Sequence, residues 1–185
     1  MPESASRIAR PPWSRIVFVA LAVLVIVSVM EWWSDDRGEM HAVPEAVQGA
    51  ALPELFLERL DAAGTFDLGE LRGGMVLVDF WSVDCRPCRE SRPWLASVAR
   101  RLSQDGLQAL SVNTDMQPAR ARAYVERAAW AGPVVLDEGI LGRLFGVRVV
   151  PTVLLLDREG RPLAYWRGLP PQRVFESQLR AALRP

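Results

Sequence analysis

The chain has 185 residues, half of them apolar, and its 22 basic side chains balance 22 acidic ones. This length suits one globular domain with an extension, and the zero net charge gives no basic footprint for nucleic acid. The sequence contains no lysine, so no role depends on a lysine amine. Its two cysteines, Cys85 and Cys88, form one C-x-x-C motif. The loop that this motif closes is too short to stabilise the fold much, so the spacing indicates a reactive pair.

The amino-terminal segment has the pattern of a membrane anchor. Residues 16–33 combine an apolar run with two tryptophans at its end, close to the ~20 residues that a bilayer requires. Arginines in residues 1–15 precede the run, which predicts a cytoplasmic amino terminus and an exported carboxyl-terminal domain. The end of the run lacks the small residues of a cleavage site, so an uncleaved anchor is favoured over a cleaved signal peptide or a buried soluble helix.

The next stretch, residues 34–52, has the composition of a linker. It is acidic at first, then rich in alanine, proline and glycine, and it shows weak periodicity. The only histidine of the chain, His41, falls here. An isolated histidine in such a stretch is more readily explained as an ordinary linker residue than as a metal ligand.

Residues 53–185 alternate strand and helix patterns. The most distinctive strand, 75–81, is a near-continuous apolar run typical of a strand buried on both faces, with Asp79 as its one charge. A helix is predicted over 85–102 from apolar residues spaced by three and four. Further strands are predicted at 55–60, 65–68, 107–112, 134–136, 153–156 and 163–166, and further helices at 119–129, 140–145 and 174–183. The early crossovers imply parallel strands and the late hairpin adds antiparallel ones, which predicts an α/β fold with a mixed central sheet flanked by helices.

The C-x-x-C motif at a helix start suits reversible disulfide chemistry. Residues three apart on a helix lie ~5–6 Å apart on one face, and a disulfide requires Cα atoms ~4.4–6.8 Å apart. Cys85, at the mouth of the helix, faces unpaired N–H groups and the positive end of the helix dipole, which favour the attacking thiolate. Cys88 lies one turn further in, so we expect it to be more buried and to resolve the mixed disulfide. Pro87 is tolerated because the first turn has no N–H bond to lose.

Asp79 and Pro151 are candidates for the same site. Asp79 precedes Cys85 by six residues, near the end of a buried strand where desolvation raises the pKa of a carboxyl. It could accept and return the proton of Cys88 during resolution; the alternative is a strand-end aspartate bonded to a loop. Pro151 begins a strand, where a proline is often only structural, and the residues alone leave its peptide isomer open.

The stretch Trp81-Ser82-Val83-Asp84-Cys85-Arg86-Pro87-Cys88, with Val150-Pro151-Thr152 before an apolar strand, resembles the thioredoxin superfamily over residues 53–185. Together with the anchor, residues 52–81 resemble its TlpA/ResA type, which are exported, membrane-tethered thiol–disulfide proteins with an extra amino-terminal hairpin.

This resemblance implies roles for individual residues. Cys85 is the expected nucleophile and Cys88 the resolving cysteine. To these the residues themselves add Asp79 as the expected catalytic acid–base, from its position near the end of the buried strand. Pro151 is expected to be cis and to face the cysteine pair, with Val150 offering its backbone to a bound chain. The expected substrate contacts are Trp81, Arg86, Pro87, Val150 and Pro151. The redox-active Cys85–Cys88 disulfide is the only redox group expected, with no other cofactor and no metal.

The resemblance also implies partners and a place in the cell. The expected activity is disulfide exchange with exported thiol or disulfide proteins, in the reducing direction. In an oxidising compartment such a reductant needs a membrane electron donor, for which a DsbD/CcdA-type carrier is expected. The predicted location is the cytoplasmic (inner) membrane, single-pass, with the catalytic domain on the periplasmic or extracytoplasmic side. No nucleic acid is expected as a partner.

The sequence departs from the family pattern at three points. Asp84 stands where tryptophan commonly precedes the first cysteine, and its carboxylate disfavours a thiolate that Arg86 favours. No lysine is present to accompany Asp79, so its carboxyl must be tuned differently. The Gly-Ala-Pro-Glu type segment of reductases for cytochrome c maturation is replaced by Val149-Val150-Pro151-Thr152, which weakens a haem-maturation role. A peroxiredoxin-like peroxidase, a tethered copper carrier using the C-x-x-C and a redox-inactive scaffold remain as alternatives.

Overall fold

The computed structural model describes residues 12–35, 40–128 and 130–184, and the chain divides into two units, Met1–Asp36 and Arg37–Pro185. The first unit contains helix α1, Pro12–Asp35. Within the residues that the structure describes, no helix combines the length and the apolar character needed to cross a bilayer. The anchor at residues 16–33 stays a prediction. Most of the predicted cytoplasmic segment, residues 1–11, lies outside the described residues.

The second unit is built on a six-stranded sheet. The strands lie in the order β1-β8-β7-β4-β5-β6; β4, β5 and β6 run parallel, while β7, β8 and β1 add antiparallel pairs. A separate hairpin pairs β2 with β3. The strands are β1 Met40–His41, β2 Phe56–Glu58, β3 Thr65–Asp67, β4 Met75–Trp81, β5 Leu107–Asn113, β6 Val134–Leu136, β7 Thr152–Leu156 and β8 Pro162–Arg167. The helices are α2 Arg86–Leu102, α3 Pro118–Val125, α4 Ile140–Leu144 and α5 Gln172–Ala182.

Strand β4 occupies the middle of the sheet, between β5 and β7, which explains its apolar sequence. Because side chains alternate along a strand, Val76, Val78 and Phe80 enter one core, which also contains Phe145, directly after α4, and residues of the β2–β3 hairpin. Leu77 enters the core on the opposite face, with α2 and α5. The sheet is therefore mixed and covered by helices on both faces, which confirms the predicted fold class.

The globular domain begins before residue 53, within the predicted linker. Met40 and His41 pair with Trp166 and Tyr165 of β8 at the sheet edge, and Leu52 is buried and donates its N–H to the Gly160 carbonyl at 3.0 Å. Residues 36–39 lie outside the described residues. The linker interpretation thus does not hold for residues 40–52, because a two-residue edge strand whose partner lies far along the chain leaves no periodic pattern in the sequence.

Candidate active site

The two cysteines lie at the amino terminus of α2 and are joined by a disulfide, with Cα atoms 5.2 Å apart. Cys85 is the residue that caps the helix, and its Sγ accepts the Cys88 N–H at 3.1 Å. Cys85 is half-buried, whereas Cys88 is completely buried. Only the first sulfur is therefore within reach of a large partner, as expected from their positions in the helix.

Between the cysteines, Arg86 and Pro87 are both exposed on the surface of the first helical turn. Arg86 donates to Glu90, one turn further along, at 2.8 Å. Neither side chain is buried in the fold, and their contact with a substrate stays a prediction.

Pro151 follows a cis peptide bond after Val150, as the resemblance implied. A groove of about 410 Å³ lies between Pro151 and the start of α2, lined by Pro87 and Trp94. Its far wall is Leu169-Pro170-Pro171, in the turn before α5. Val150 lines a second groove of about 640 Å³, which also contains the exposed Met116. The predicted substrate contacts at Val150, Pro151 and Pro87 thus lie along two grooves.

Trp81 does not fit its predicted role as a substrate contact. Its side chain is completely buried because it lies at the end of the central strand and packs in one cluster with Cys88. Its ring lies 5.3 Å from that of Tyr124 on α3. Trp81 therefore supports Cys88 from within the domain and offers no surface to a substrate.

Asp79 is buried and paired with an arginine. Its Oδ2 accepts from Nη1 of Arg92 on α2 at 2.9 Å, so it is not the loop-bonded aspartate that the sequence left open. Burial raises the pKa of Asp79 to about 6, because the charged carboxylate loses its hydration, while the Arg92 charge and hydrogen bond oppose that rise. The carboxyl can therefore change its charge close to neutral pH.

Arg92, which the sequence interpretation did not single out, also donates to the Ser111 hydroxyl on β5 at 2.9 Å. A signal for it exists in the sequence. Cys88, Arg92, Leu95 and Ala99 follow the spacing of four, three and four that marks the buried face of α2. An arginine on that stripe, in a chain where a buried strand carries one acid, indicates an internal ion pair.

Asp84, which replaces the family tryptophan, forms an ion pair at the surface. Its two oxygens accept from Nη1 and Nη2 of Arg120 on α3, at 2.9 and 2.6 Å. The hydrogen bond from Arg120 lowers the pKa of Asp84 below its usual value. The negative charge beside Cys85 is therefore matched by a positive one, and both side chains of the pair are exposed.

Across residues 12–35, 40–128 and 130–184, no three histidine, cysteine, aspartate or glutamate side chains are grouped so that they could hold a metal ion.

Comparisons with known proteins agree with this site. The chain matches the AhpC/TSA family over residues 48–161. It is 31% identical over 158 residues to the thiol:disulfide interchange protein HelX of Rhodobacter capsulatus, covering 83% of this chain and 86% of that protein. It is 26% identical over 166 residues to the thiol-disulfide oxidoreductase ResA of Halalkalibacterium halodurans, covering 86% and 90%. A crystal structure described as a thiol:disulfide interchange protein DsbE from Chlorobium tepidum matches with a TM-score of 0.65 and 31% identity, covering 73% of this chain and 96% of that one.

A thioredoxin fold with a C-x-x-C disulfide at the start of a helix and a cis proline nearby defines a thiol–disulfide oxidoreductase. The chain belongs to the AhpC/TSA family, and its relatives are named for disulfide exchange. Their names favour exchange over the peroxidase, copper-carrier and inactive-scaffold alternatives.

Proposed function

We propose that this protein is a membrane-tethered reductant of disulfides in exported proteins, with Cys85 as the attacking and Cys88 as the resolving cysteine. The observation that carries the proposal is the asymmetry of the two sulfurs. Cys85 is half-buried at the helix terminus and its Sγ receives an N–H bond, which stabilises a thiolate, whereas Cys88 is completely buried. A partner disulfide can therefore meet Cys85 alone.

The reaction transfers two electrons to the partner, which also takes up two protons, one matching the proton that Cys88 loses and one from solvent. In the reduced protein, the Cys85 thiolate attacks one sulfur of the partner disulfide, and the other partner sulfur leaves as a thiolate and takes a proton. Cys88 then loses its proton and attacks Cys85, which releases the second partner thiol and closes the Cys85–Cys88 disulfide. The partner leaves with two thiols, and this protein is left oxidised.

The reducing direction is supported by the charges around Cys85. A strongly stabilised thiolate makes a C-x-x-C protein an oxidant, because it stabilises the reduced form. Here the two flanking charges are each matched by an opposite one, Asp84 by Arg120 and Arg86 by Glu90. With no net positive charge from these flanking pairs, stabilisation of the Cys85 thiolate stays modest and the disulfide form is favoured.

The substrate is an extended segment of an exported protein carrying a disulfide. Arg86 and Pro87 on the helix and Val150 and Pro151 on the opposite loop would contact it, because Arg86 is exposed next to Cys85 and the other three line the two grooves. The anchor at residues 16–33 would hold the domain at the extracytoplasmic side of the membrane. A DsbD/CcdA-type membrane carrier would return the protein to its dithiol form after each cycle.

The experiment that tests this proposal measures insulin reduction by dithiothreitol together with the Cys85–Cys88 midpoint potential. We expect faster insulin reduction with the unaltered protein and none above background with Cys85→Ser. We also expect a potential closer to roughly −270 mV, the thioredoxin value, than to roughly −120 mV, the DsbA value. A potential near the DsbA end would reverse the assigned direction. Peroxide consumption without insulin reduction, or stoichiometric copper in the purified reduced protein, would replace the proposal by one of the alternatives.

The tether has its own test. The mass and amino-terminal sequence of the mature protein, isolated from membranes, would retain residues 16–33 if they form an anchor. A mature protein that begins after residue 33 and is released without detergent would show that the segment is a cleaved signal peptide.

A further inference from the structure

Arg92 is a charged side chain in the interior of the domain, on the same face of α2 as Cys88 and one turn further along. The residue is 3% exposed. Its Nη1 is shared between the Asp79 carboxylate and the Ser111 hydroxyl, each at 2.9 Å. A buried charge destabilises a fold unless it is paired, so this pairing explains how the cation is tolerated.

Aromatic rings enclose the rest of the guanidinium group. Its Cζ lies 3.8 Å from the centroid of the Trp81 ring, 5.0 Å from that of Trp130 and 5.9 Å from that of Tyr124. Its Nε and Nη2 have no hydrogen-bond partner among the described residues, so the faces of these rings supply the remaining stabilisation of the cation. Trp81 belongs to the same buried cluster as Cys88. The Trp81 ring therefore connects the ion pair with the buried cluster that contains the resolving cysteine.

An arginine in this place differs physically from a lysine. A buried lysine can lose its proton and become neutral, whereas an arginine stays protonated in proteins. Burial lowers the pKa of Arg92 from a very high starting value, so the group keeps its charge at all physiological pH values. The carboxyl of Asp79 therefore always faces one fixed positive charge.

We propose that Arg92 is a positioning residue that holds a fixed positive charge against Asp79, so that the carboxylate of Asp79 accepts the Cys88 proton during resolution. This inference rests on the proposed function, in which Cys88 resolves the mixed disulfide. In that step the proton passes from the Cys88 thiol to Asp79, the Cys88 thiolate forms its bond to Cys85, and the Cys85–partner bond breaks. The departing partner thiolate then takes up a proton, and Asp79 returns its own to solvent.

The surroundings of Asp79 contain few other groups that could set its charge. From α2 comes Arg92, and from β5 comes the Ser111 hydroxyl, opposite Asp79 in the parallel register. From β7 the opposite residue is the apolar Val153. From α3, Tyr124 lies near the guanidinium. Arg92 is thus the one permanent charge that faces Asp79 among the described residues.

The test compares the titration of Asp79 with the pH profile of resolution in the full-length protein. Carbon-13 NMR of labelled aspartate follows the Asp79 carboxyl, identified by its absence in Asp79→Asn, and needs no substrate. Resolution is followed as release of a peptide thiol from a Cys85 mixed disulfide. In the unaltered protein we expect both to have a midpoint near pH 6, the pKa of Asp79, with faster release above it.

In Arg92→Met, the loss of the cation should raise both midpoints by roughly one to three pH units. Arg92→Lys should restore most of the shift because it returns a positive charge. Ser111→Ala is the matched control, since it removes a hydrogen bond from Arg92 and keeps the charge, so its midpoints should stay near those of the unaltered protein.

The pair Asp79→Asn and Asp79→Asn/Arg92→Met keeps the test valid if Arg92→Met alone fails to fold, because the double variant leaves no buried charge. Their resolution profiles should coincide, since Arg92 acts only through Asp79. An unmoved Asp79 titration in Arg92→Met, an unmoved resolution profile, or different profiles in this pair would overturn the inference. A wrong assignment of electron direction would leave the Asp79 titration unaffected, so the two failures are distinguishable.

Discussion

Two aspartate–arginine pairs lie near the cysteine motif with similar geometry and opposite surroundings. In the Asp79–Arg92 pair the nearest N and O atoms are 2.9 Å apart and the side chains are 2% and 4% exposed. In the Asp84–Arg120 pair they are 2.6 Å apart and the side chains are 71% and 52% exposed. Burial raises the pKa of the first carboxyl, whereas the arginine lowers that of the second. The surroundings, and not the distance, therefore decide what each pair does.

The two pairs therefore act differently at the same site. The exposed pair offsets the negative charge beside Cys85 and joins α3 to the loop that precedes the motif. Because water screens both charges, the pair adds little to the stability of the domain. The buried pair is screened far less, so changes in its charge affect both the stability of the domain and the proton available to Cys88.

Removing the cation of the buried pair should have the largest effect. Arg92→Met leaves Asp79 buried without a partner, and we expect a loss of about 3–5 kcal/mol in the free energy of unfolding at neutral pH. The loss should shrink at pH 5, where Asp79 is protonated. Urea unfolding at the two pH values measures both. The control, Asp79→Asn/Arg92→Met, should recover most of the loss, and a loss below about 1 kcal/mol in the single variant would contradict the account.

The pH dependence of stability should carry the signature of Asp79. Its pKa is about 6 when folded and 3.8 in the absence of the fold, so the folded state binds the proton more tightly. The contribution of this proton binding to the free energy of unfolding is fully present below about pH 4. It is lost as the pH rises through 6, a decrease on the order of 3 kcal/mol. Urea midpoints from pH 4 to 7 should show this decline in the unaltered protein and lack it in Asp79→Asn. Identical declines in both would show that Asp79 is not responsible.

The surroundings of the buried pair show which features a local sequence pattern predicts and which it does not. The sequence predicts β4 because a strand buried on both faces is apolar almost throughout, and the structure confirms its bounds. It predicts α2 because a helix buried along one stripe has apolar residues spaced by three and four. The pattern does not predict the burial of Arg92, because arginine is usually a surface residue and one charge leaves the apolar stripe of α2 recognisable. The resemblance predicts a substrate contact at Trp81, whereas the position of Trp81 at the end of the central strand buries its side chain. Strand β1 depends on a partner far along the chain, which no local pattern reveals.

The exposed pair should have a smaller effect, on the reactivity of Cys85. Arg120→Ala removes the positive charge that offsets Asp84, so the pH midpoint for alkylation of reduced Cys85 should rise by a fraction of a pH unit. Asp84→Asn should lower it. The rate of iodoacetamide alkylation against pH measures both, and 0.5 M salt should reduce the differences because it screens exposed charges. Shifts that persist in high salt would show that the pair acts through structure and not through charge.

The smallest expected effect is that of the exposed pair on stability. Arg120→Ala should leave the urea midpoint within the scatter of the unaltered protein, since exposed ion pairs contribute little. A decrease comparable to that of Arg92→Met would remove the distinction between the two pairs.

The most direct test of thiol–disulfide exchange is the capture of mixed disulfides in cells that produce the full-length protein. In Cys88→Ser, the Cys85–partner bond cannot be resolved, so non-reducing gels should show reductant-sensitive adducts with exported, cysteine-containing proteins. Cys85→Ser should show none, because the buried Cys88 does not reach a partner. Adducts that form through Cys88 in Cys85→Ser, with none in Cys88→Ser, would contradict the assignment of Cys85 as the attacking residue.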